Sequence, residues 1–211
     1  MNLRMQVEKL ACSRGGRQLF NNLSVEVNPG ELLRVRGANG AGKTSLLRML
    51  CGLMEPTEGQ VLWRGQKVTD LREEFGHELI YLGHAAALKD DLSPIENLLV
   101  ACTLARQNAS FQEARRALLD AGLRGHEHTL TRRLSQGQRK RSALARLVLA
   151  NTTYPLIPLW VLDEPFNSLD SAATDWLVGL MQVHLQRAGM VVLTSHQSVP
   201  LGDVPQHVLS L

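Results

Sequence analysis

A glycine-rich segment joins a strand-like run to a helix-like run near the start of the chain, and it constrains the fold more than any other stretch. Residues 37–44 read Gly-Ala-Asn-Gly-Ala-Gly-Lys-Thr and follow the apolar run 32–36. The spacing matches the phosphate-binding loop, in which two glycines separated by four residues precede lysine and threonine. A chance glycine-rich turn is the alternative, but the strand-then-helix context favours the loop. The sequence therefore predicts a nucleoside triphosphate site.

Each residue type in this segment suits contact with phosphate. Glycines let backbone N–H groups approach phosphate oxygens without a Cβ in the way. Lys43 supplies a charge that can reach the β- and γ-phosphates, and the Thr44 hydroxyl can ligate Mg²⁺. A helix is expected over 43–54, with Leu53 and Met54 on its apolar face, and its dipole would favour the nucleotide. The predicted nucleotide-binding residues of this segment are Gly37, Ala38, Asn39, Gly40, Ala41, Gly42, Lys43, Thr44 and Ser45.

A second apolar run, 159–162, ends in two acidic residues, Asp163 and Glu164. If the run is a strand of an open α/β sheet, both carboxylates lie at the sheet edge where such folds bind ligands. Asp163 could then hold the Mg²⁺ that Thr44 also ligates, and Glu164 could orient and deprotonate an attacking water. The alternative is that the two acids form a solvated turn after a strand. The presence of a phosphate-binding loop in the same chain favours the metal and catalytic roles over this alternative.

Composition narrows the classes of partner. The chain has 211 residues, a formal net charge of +3 and 4% aromatic residues. That charge and the few aromatic side chains argue against a nucleic-acid partner. No apolar stretch has the length that spans a bilayer. Cys12, Cys51 and Cys102 are widely spaced and lack a metal-binding pattern, so we expect buried thiols in a reducing cytosol.

The pattern along the chain predicts one α/β domain over 1–211 with an inserted helical part. The core would comprise 1–83, which begins with short β-strands, and 151–211, which contains a βαβ unit. The helical part would comprise 84–150. Strands are expected at 5–10, 18–20, 23–27, 32–35, 60–64, 79–82, 159–163 and 190–194, with turns at 15–16, 21–22 and 28–30. Helices are expected after capping boxes at Ser93 and Ser110, the second with Phe111 on its apolar face, and over 139–150 and 171–187.

The stretch 134–138, Leu-Ser-Gln-Gly-Gln, is called the signature segment below. Ser135 and Gln138 have the spacing of a capping box, which is one interpretation. The same geometry also forms an anion site at a helix N-terminus. The order of phosphate-binding loop, helical part, signature segment, Asp163-Glu164-Pro165, Ser-Leu-Asp at 168–170 and Thr-Ser-His at 194–196 resembles an ABC-type ATPase domain. The resemblance covers about residues 3–197.

This resemblance implies a P-loop NTPase core of ABC type with an antiparallel β subdomain, an inserted helical subdomain, and ATP as the nucleotide. It also implies a head-to-tail pair of ATPase subunits, in which Ser135, Gly137 and Gln138 touch the γ-phosphate of the partner's ATP. His196 would contact the γ-phosphate bound by its own chain, and Asp170 would lie between the two sites. The implied catalytic residues are Lys43, Glu164 and His196.

Two residues depart from the usual family pattern. Most members carry an aromatic residue that stacks on adenine, whereas this chain has Arg14 near that place. A guanidinium plane can stack on a base, although a solvated arginine in a turn is an equal alternative. Members usually carry glutamine where His84 stands here. A neutral imidazole could ligate Mg²⁺ or accept a hydrogen bond from its water, so His84 joins Thr44 and Asp163 as a candidate metal ligand.

Within this family, stretches such as Tyr-Leu-Gly-His at 81–84 are similar to the ATP-binding subunit of the bacterial cytochrome c maturation system, the haem exporter. That resemblance implies an integral membrane permease subunit as partner and a peripheral position on the cytoplasmic face of the inner membrane. ATP hydrolysis would drive haem export or release of a haem-loaded chaperone. The alternatives are an ABC subunit for another substrate, a soluble ABC ATPase acting on nucleic acid or ribosomes, and a non-hydrolysing scaffold.

Overall fold

The structure is a computed structural model that describes residues 3–152, 156–196 and 198–211. Within these residues the strands are β1 (Met5–Arg14), β2 (Arg17–Val27), β3 (Leu32–Arg36), β4 (Glu58–Trp63), β5 (Gln66–Lys67), β6 (Leu79–Leu82), β7 (Leu159–Leu162), β8 (Met190–Thr194) and β9 (Gln206–Ser210). The helices are α1 (Lys43–Leu50), α2 (Val68–His77), α3 (Pro94–Leu104), α4 (Phe111–Asp120), α5 (Gln136–Thr152) and α6 (Ser171–Gln186), with a short 3₁₀ helix at Thr131–Arg133. These strands form one antiparallel and one parallel sheet.

The antiparallel sheet has the strand order β2-β1-β4-β5. Strands β1 and β2 form a hairpin whose turn is Gly15-Gly16, as the sequence predicts. The expected turn at Asn21-Asn22 is wrong, because both residues lie inside β2. There the pairing shifts between Leu10–Leu23 and Cys12–Phe20, so β2 carries an extra residue. A β-bulge absorbs that residue, and two short predicted strands become one long one.

The parallel sheet has the order β6-β7-β8-β3-β9, and each neighbouring pair is parallel. All residues of β7 and β8 are buried, which explains their continuous apolar sequences. The carboxyl ends of the strands meet at one edge of the sheet. This edge therefore brings together the segments that follow β3, β6, β7 and β8.

Successive side chains of the central strands enter different apolar clusters. Val161 lies in a cluster between the two sheets, with Leu46 of α1 and Trp63 of β4. Trp160 faces the opposite side and packs in a cluster with Leu144 of α5 and residues of α6. This alternation follows from the two-residue period of a strand.

Helices α3 and α4 pack against α5 around a third apolar cluster that includes Leu98, Leu118 and Leu149. Both predicted capping boxes are present. At Ser93 the hydroxyl accepts from the Glu96 N–H, and the Glu96 carboxylate accepts from the Ser93 N–H. The same reciprocal pair joins Ser110 and Glu113.

Several expected elements differ in extent. Helix α1 ends at Leu50 rather than at residue 54, because the chain turns at Gly52 with a φ of 68°. Leu53 is consequently 64% exposed and does not lie on the buried face. Phe111 is 50% exposed, since it occupies the first position of α4. Helix α2 and strands β5 and β9 were not expected from the sequence.

Cys12, Cys51 and Cys102 are all buried free thiols, as predicted. Among the residues that the structure describes, none of the helices combines the length and the apolar character that a bilayer crossing requires.

Candidate functional site

The predicted site residues gather at the carboxyl edge of the parallel sheet. The glycine-rich loop connects β3 to α1, and Asp163 and Glu164 follow β7 directly. His196 lies two residues after the end of β8, and His84 lies two residues after the end of β6. The parallel order of these strands thus brings four distant stretches of sequence to one place.

The loop ends in a backbone conformation that suits glycine. Gly42 caps α1 with a φ of 103°, a region that L side chains rarely adopt. A Cβ at this position would lie 3.1 Å from the Leu19 Cβ and 3.2 Å from the Phe20 ring, so space is also short. Helix α1 then begins at Lys43, with backbone N–H groups of its first turn free to face a ligand.

Lys43 and Thr44 are held by contacts across the loop and the sheet. The Lys43 Nζ donates to the carbonyl oxygens of Gly37, at 2.8 Å, and Ala38, at 3.3 Å. The Thr44 hydroxyl donates to Asp163 Oδ2 at 2.7 Å. The other Asp163 oxygen, Oδ1, accepts from the Thr194 hydroxyl at 2.8 Å. Asp163 is only 2% exposed, so these two hydroxyl groups compensate for its loss of water.

The donor set around Asp163 fits a small divalent cation. A hydroxyl oxygen and a carboxylate oxygen already lie within hydrogen-bond distance, and both are the hard ligands that Mg²⁺ prefers. Among the described residues, no three His, Cys, Asp or Glu side chains form a complete metal cage. This donor set therefore suits a cation that takes its remaining ligands from phosphate and water, as Mg²⁺ does beside nucleotides.

Glu164 has a constrained backbone. Its φ is 47°, which is uncommon for a residue with a side chain, and proline follows it. Its N–H donates to the Thr194 hydroxyl at 2.7 Å, and its carbonyl accepts from Lys140 Nζ at 3.0 Å. Its carboxylate Oε1 lies 3.5 Å from Nε2 of His196. Contacts from β8 and α5 thus fix the peptide groups on both sides of this residue.

Lys140 is half-buried beside these acids. Burial lowers the pKa of Lys140, and the negative charges of Asp163 and Glu164 act in the opposite direction. The ammonium therefore adds a positive charge close to these two carboxylates.

The loop and the acids border a cavity of about 550 Å³, called the nucleotide cavity below. Of the predicted site residues, it is lined by Arg14, Asn39, Gly40, Gly42, Lys43, Thr44, Ser45, His84, Asp163, Glu164 and His196. Arg14 and His84 are both exposed, yet each reaches this cavity from a separate part of the chain. Gly37, Ala38 and Ala41 belong to the loop but are not among the lining residues.

Sequence reasoning missed some of the lining. Leu19 of β2 and Asn167 also border the nucleotide cavity. Asn167 could have been noticed because it closely follows Asp163-Glu164-Pro165. Leu19 gave no signal, since an apolar residue in a strand usually belongs to the core.

The signature segment does not line the nucleotide cavity. Ser135 and Gln138 form the predicted capping box at the start of α5, with the Gln138 N–H donating to the Ser135 hydroxyl and the Ser135 N–H donating to Gln138 Oε1. At Gly137 a Cβ would lie 2.8 Å from the Ser168 carbonyl oxygen. Close packing within the chain therefore also explains why a residue without a side chain stands at position 137. Asp170 caps α6 by accepting from the Ala173 N–H at 2.8 Å.

A parallel sheet with a phosphate-binding loop, a buried Asp–Thr pair and an adjacent glutamate is the arrangement of a P-loop nucleotide-binding domain. The model of the ABC transporter family matches residues 20–167. The chain belongs to the ABC transporter family.

Curated relatives match nearly the whole chain. One from Dechloromonas aromatica, named cytochrome c biogenesis ATP-binding export protein CcmA, is 48% identical over 95% of this chain and 97% of its own length. A protein of the same name from Pseudomonas aeruginosa is 45% identical over 91% of this chain and 92% of its own length.

Solved structures share the fold. A dimeric ATP-binding cassette in a post-hydrolysis state, bound to ADP and Pi, superposes with a TM-score of 0.81. It is 22% identical, and the match covers 98% of this chain and 94% of that one.

Proposed function

We propose that the nucleotide cavity binds ATP together with Mg²⁺. The observation that supports this most directly is the hydrogen bond between Thr44 and the buried Asp163, next to Lys43 at the start of α1. The loop amides and Lys43 would hold the phosphates, and the dipole of α1 favours their charge. Thr44 and Asp163 would hold Mg²⁺, with His84 as a third candidate ligand. When bound, this ion neutralises charge on the β- and γ-phosphates.

Glu164 is the proposed general base. Its carboxylate is mostly buried, with 13% of the side chain exposed, and it borders the nucleotide cavity next to Asp163. A carboxylate in this place can accept a proton from water as that water attacks the γ-phosphate. His196, 60% exposed and close to Glu164, would contact the same phosphate in this proposal.

Two copies of the chain complete each site in this proposal. The signature segment lies outside its own nucleotide cavity, with Ser135 exposed at the N-terminus of α5. The positive end of this helix dipole, together with Ser135, Gly137 and Gln138, would meet the γ-phosphate bound by a second copy. A head-to-tail pair then contains two equivalent sites, and Asp170 would lie between them.

The cellular role that we propose is that of the ATP-hydrolysing subunit of a membrane ABC complex for c-type cytochrome biogenesis. The names of the 48% and 45% identical relatives support this role. The subunit would bind an integral membrane permease on the cytoplasmic face of the bacterial inner membrane. Nucleic acid is not a partner in this proposal. Hydrolysis would drive haem export or release of a haem-loaded chaperone.

The test compares Glu164→Gln and Lys43→Ala in the complete complex and in cells. Glu164→Gln should retain ATP binding while hydrolysis falls ~10²-fold or more, the usual scale for loss of a general base. Lys43→Ala should lose binding itself. In cells, both variants should lose covalently bound haem in c-type cytochromes while b-type cytochromes remain.

Two results would contradict separate parts of this proposal. Undiminished hydrolysis by Glu164→Gln would exclude its role as base. Normal c-type cytochromes in cells whose only copy is Lys43→Ala would exclude the cytochrome role without affecting the ATPase assignment.

A further inference from the structure

Lys140 connects two parts of the site that sequence reasoning treats separately. It lies near the N-terminal end of α5, the helix that the signature segment opens, and its ammonium reaches across to the segment after β7. There Nζ donates to the carbonyl oxygen of Glu164 at 3.0 Å. The two residues are far apart in sequence, so only the fold reveals the contact.

The carbonyl that Lys140 holds belongs to a backbone that needs support. Glu164 has a φ of 47°, and the following Pro165 disfavours helical conformations in the residue before it. Such conformations persist only where the surroundings over-determine them. Thr194 fixes the N–H of Glu164, and Lys140 fixes its carbonyl, so removing the ammonium leaves one of the two restraints.

Neighbouring cations on α5 make different contacts. Arg139 pairs with Asp90 at 2.5 Å, and Arg141 donates to the Gly122 carbonyl at 3.3 Å. Both contacts are directed towards the helical part of the chain. Of these three consecutive residues, Lys140 is the one whose hydrogen bond reaches Glu164.

We propose that Lys140 is a positioning residue for ATP hydrolysis, which holds the Glu164 peptide so that the glutamate carboxylate keeps its place over the nucleotide cavity. The proposal rests on the role of Glu164 as base. The same hydrogen bond also connects α5, the helix that the signature segment opens, directly to Glu164 of its own chain. Misplacing a catalytic group by a small distance reduces turnover strongly, while the phosphate contacts of the loop stay intact.

The experiment measures kcat and KM for ATP in the complete membrane complex for Lys140→Met, Lys140→Arg and the matched control Arg141→Met. Lys140→Met should lower kcat about tenfold with KM little changed, because orientation and not binding is lost. Lys140→Arg keeps a cationic donor and should recover most of kcat. Arg141→Met removes a neighbouring cation of the same helix and should behave as wild type.

A second background separates positioning from a general effect on the fold. If Lys140 acts through Glu164, Lys140→Met should add no further loss of turnover to Glu164→Gln. Equal losses in both backgrounds, or wild-type kcat in Lys140→Met, would overturn the proposal. If Lys140→Met does not fold, as thermal unfolding will reveal, Lys140→Leu, which also lacks a donor, provides the same comparison. Failure of the base assignment itself is distinguishable, because Glu164→Gln alone would then hydrolyse ATP normally.

Discussion

Two hydroxyl groups organise the acids of the site. The Thr44 and Thr194 hydroxyls each donate a hydrogen bond to one carboxylate oxygen of Asp163. The Thr194 hydroxyl also accepts a hydrogen bond from the Glu164 N–H. The two neighbouring carboxylates are thereby given different environments. Asp163 is enclosed and accepts a hydrogen bond at each carboxylate oxygen, whereas Glu164 is the more exposed of the two at the cavity wall, where a base must meet its water.

His184 is a buried residue that the nucleotide site does not use. It lies on α6 with 0% exposure and stacks on Trp160 of β7, with ring centroids 3.9 Å apart. Burial lowers the pKa of His184 to about 4, from an ordinary 6.5. Between these two pH values His184 is protonated in the unfolded chain and neutral in the folded chain. The contribution of His184 to the free energy of unfolding should therefore be fully present above pH 6.5 and be lost as the pH decreases towards 4.

The contribution of His184 to this loss is on the order of 3 kcal/mol, at about 1.4 kcal/mol per pKa unit. Urea unfolding between pH 7 and 4.5 measures it in the wild type, in His184→Phe and in the exposed control His77→Gln. The decrease should be smaller in His184→Phe and unchanged in His77→Gln. Parallel curves for all three proteins would show that another group titrates.

Strand β4 depends on a close approach between backbones. At Gly59, a Cβ would collide with the carbonyl oxygens of Glu8 and Lys9 in β1, where the pairing of the two strands is irregular. Gly65 has nearly the same φ, 82° against 81°, but apart from its own chain neighbours no described residue has a heavy atom within 4 Å of its Cβ position. The chain thus offers two glycines with nearly the same φ and different surroundings.

Alanine at these two positions separates conformational strain from collision. Gly65→Ala should lose about 1 kcal/mol of unfolding free energy, the cost of a left-handed conformation. Gly59→Ala should lose about 2 kcal/mol more, since the strand must shift to make room. Chemical denaturation of both variants gives the comparison, and equal losses would mean that β1 yields freely at this point.

The elements that the sequence predicts well are those with local signals. Capping boxes at Ser93 and Ser110, the loop before α1, and the buried strands β7 and β8 all depend on spacing within a few residues. The exposed strand β9 has no alternating pattern, and it forms because β3 offers an unpaired edge. The contact between Lys140 and Glu164 depends on tertiary packing, as does the cavity lining by Leu19. The division into a core and a helical part over 84–150 stays a prediction.

The whole molecule places its two candidate phosphate contacts on separate surfaces. The glycine-rich loop faces the nucleotide cavity, and the signature segment opens α5 outside that cavity. If the loop and the signature segment keep these positions, a nucleotide bound to the loop of one chain does not touch the signature segment of the same chain. In the proposed head-to-tail pair, each copy would bring its helix N-terminus to the nucleotide that the other copy binds.

Mixed pairs of differently disabled chains test this shared site most directly. One chain carries Lys43→Ala, and the other carries Ser135→Asp, which keeps a capping side chain but turns a negative charge towards the γ-phosphate. Different affinity tags allow complexes that contain one of each chain to be purified and their ATP turnover measured. Complexes with two identical variant chains should be inactive, whereas mixed complexes keep one intact site and should recover about half of wild-type turnover. Mixed complexes as inactive as their parents would contradict the account, because the one intact shared site that it predicts would then not support turnover.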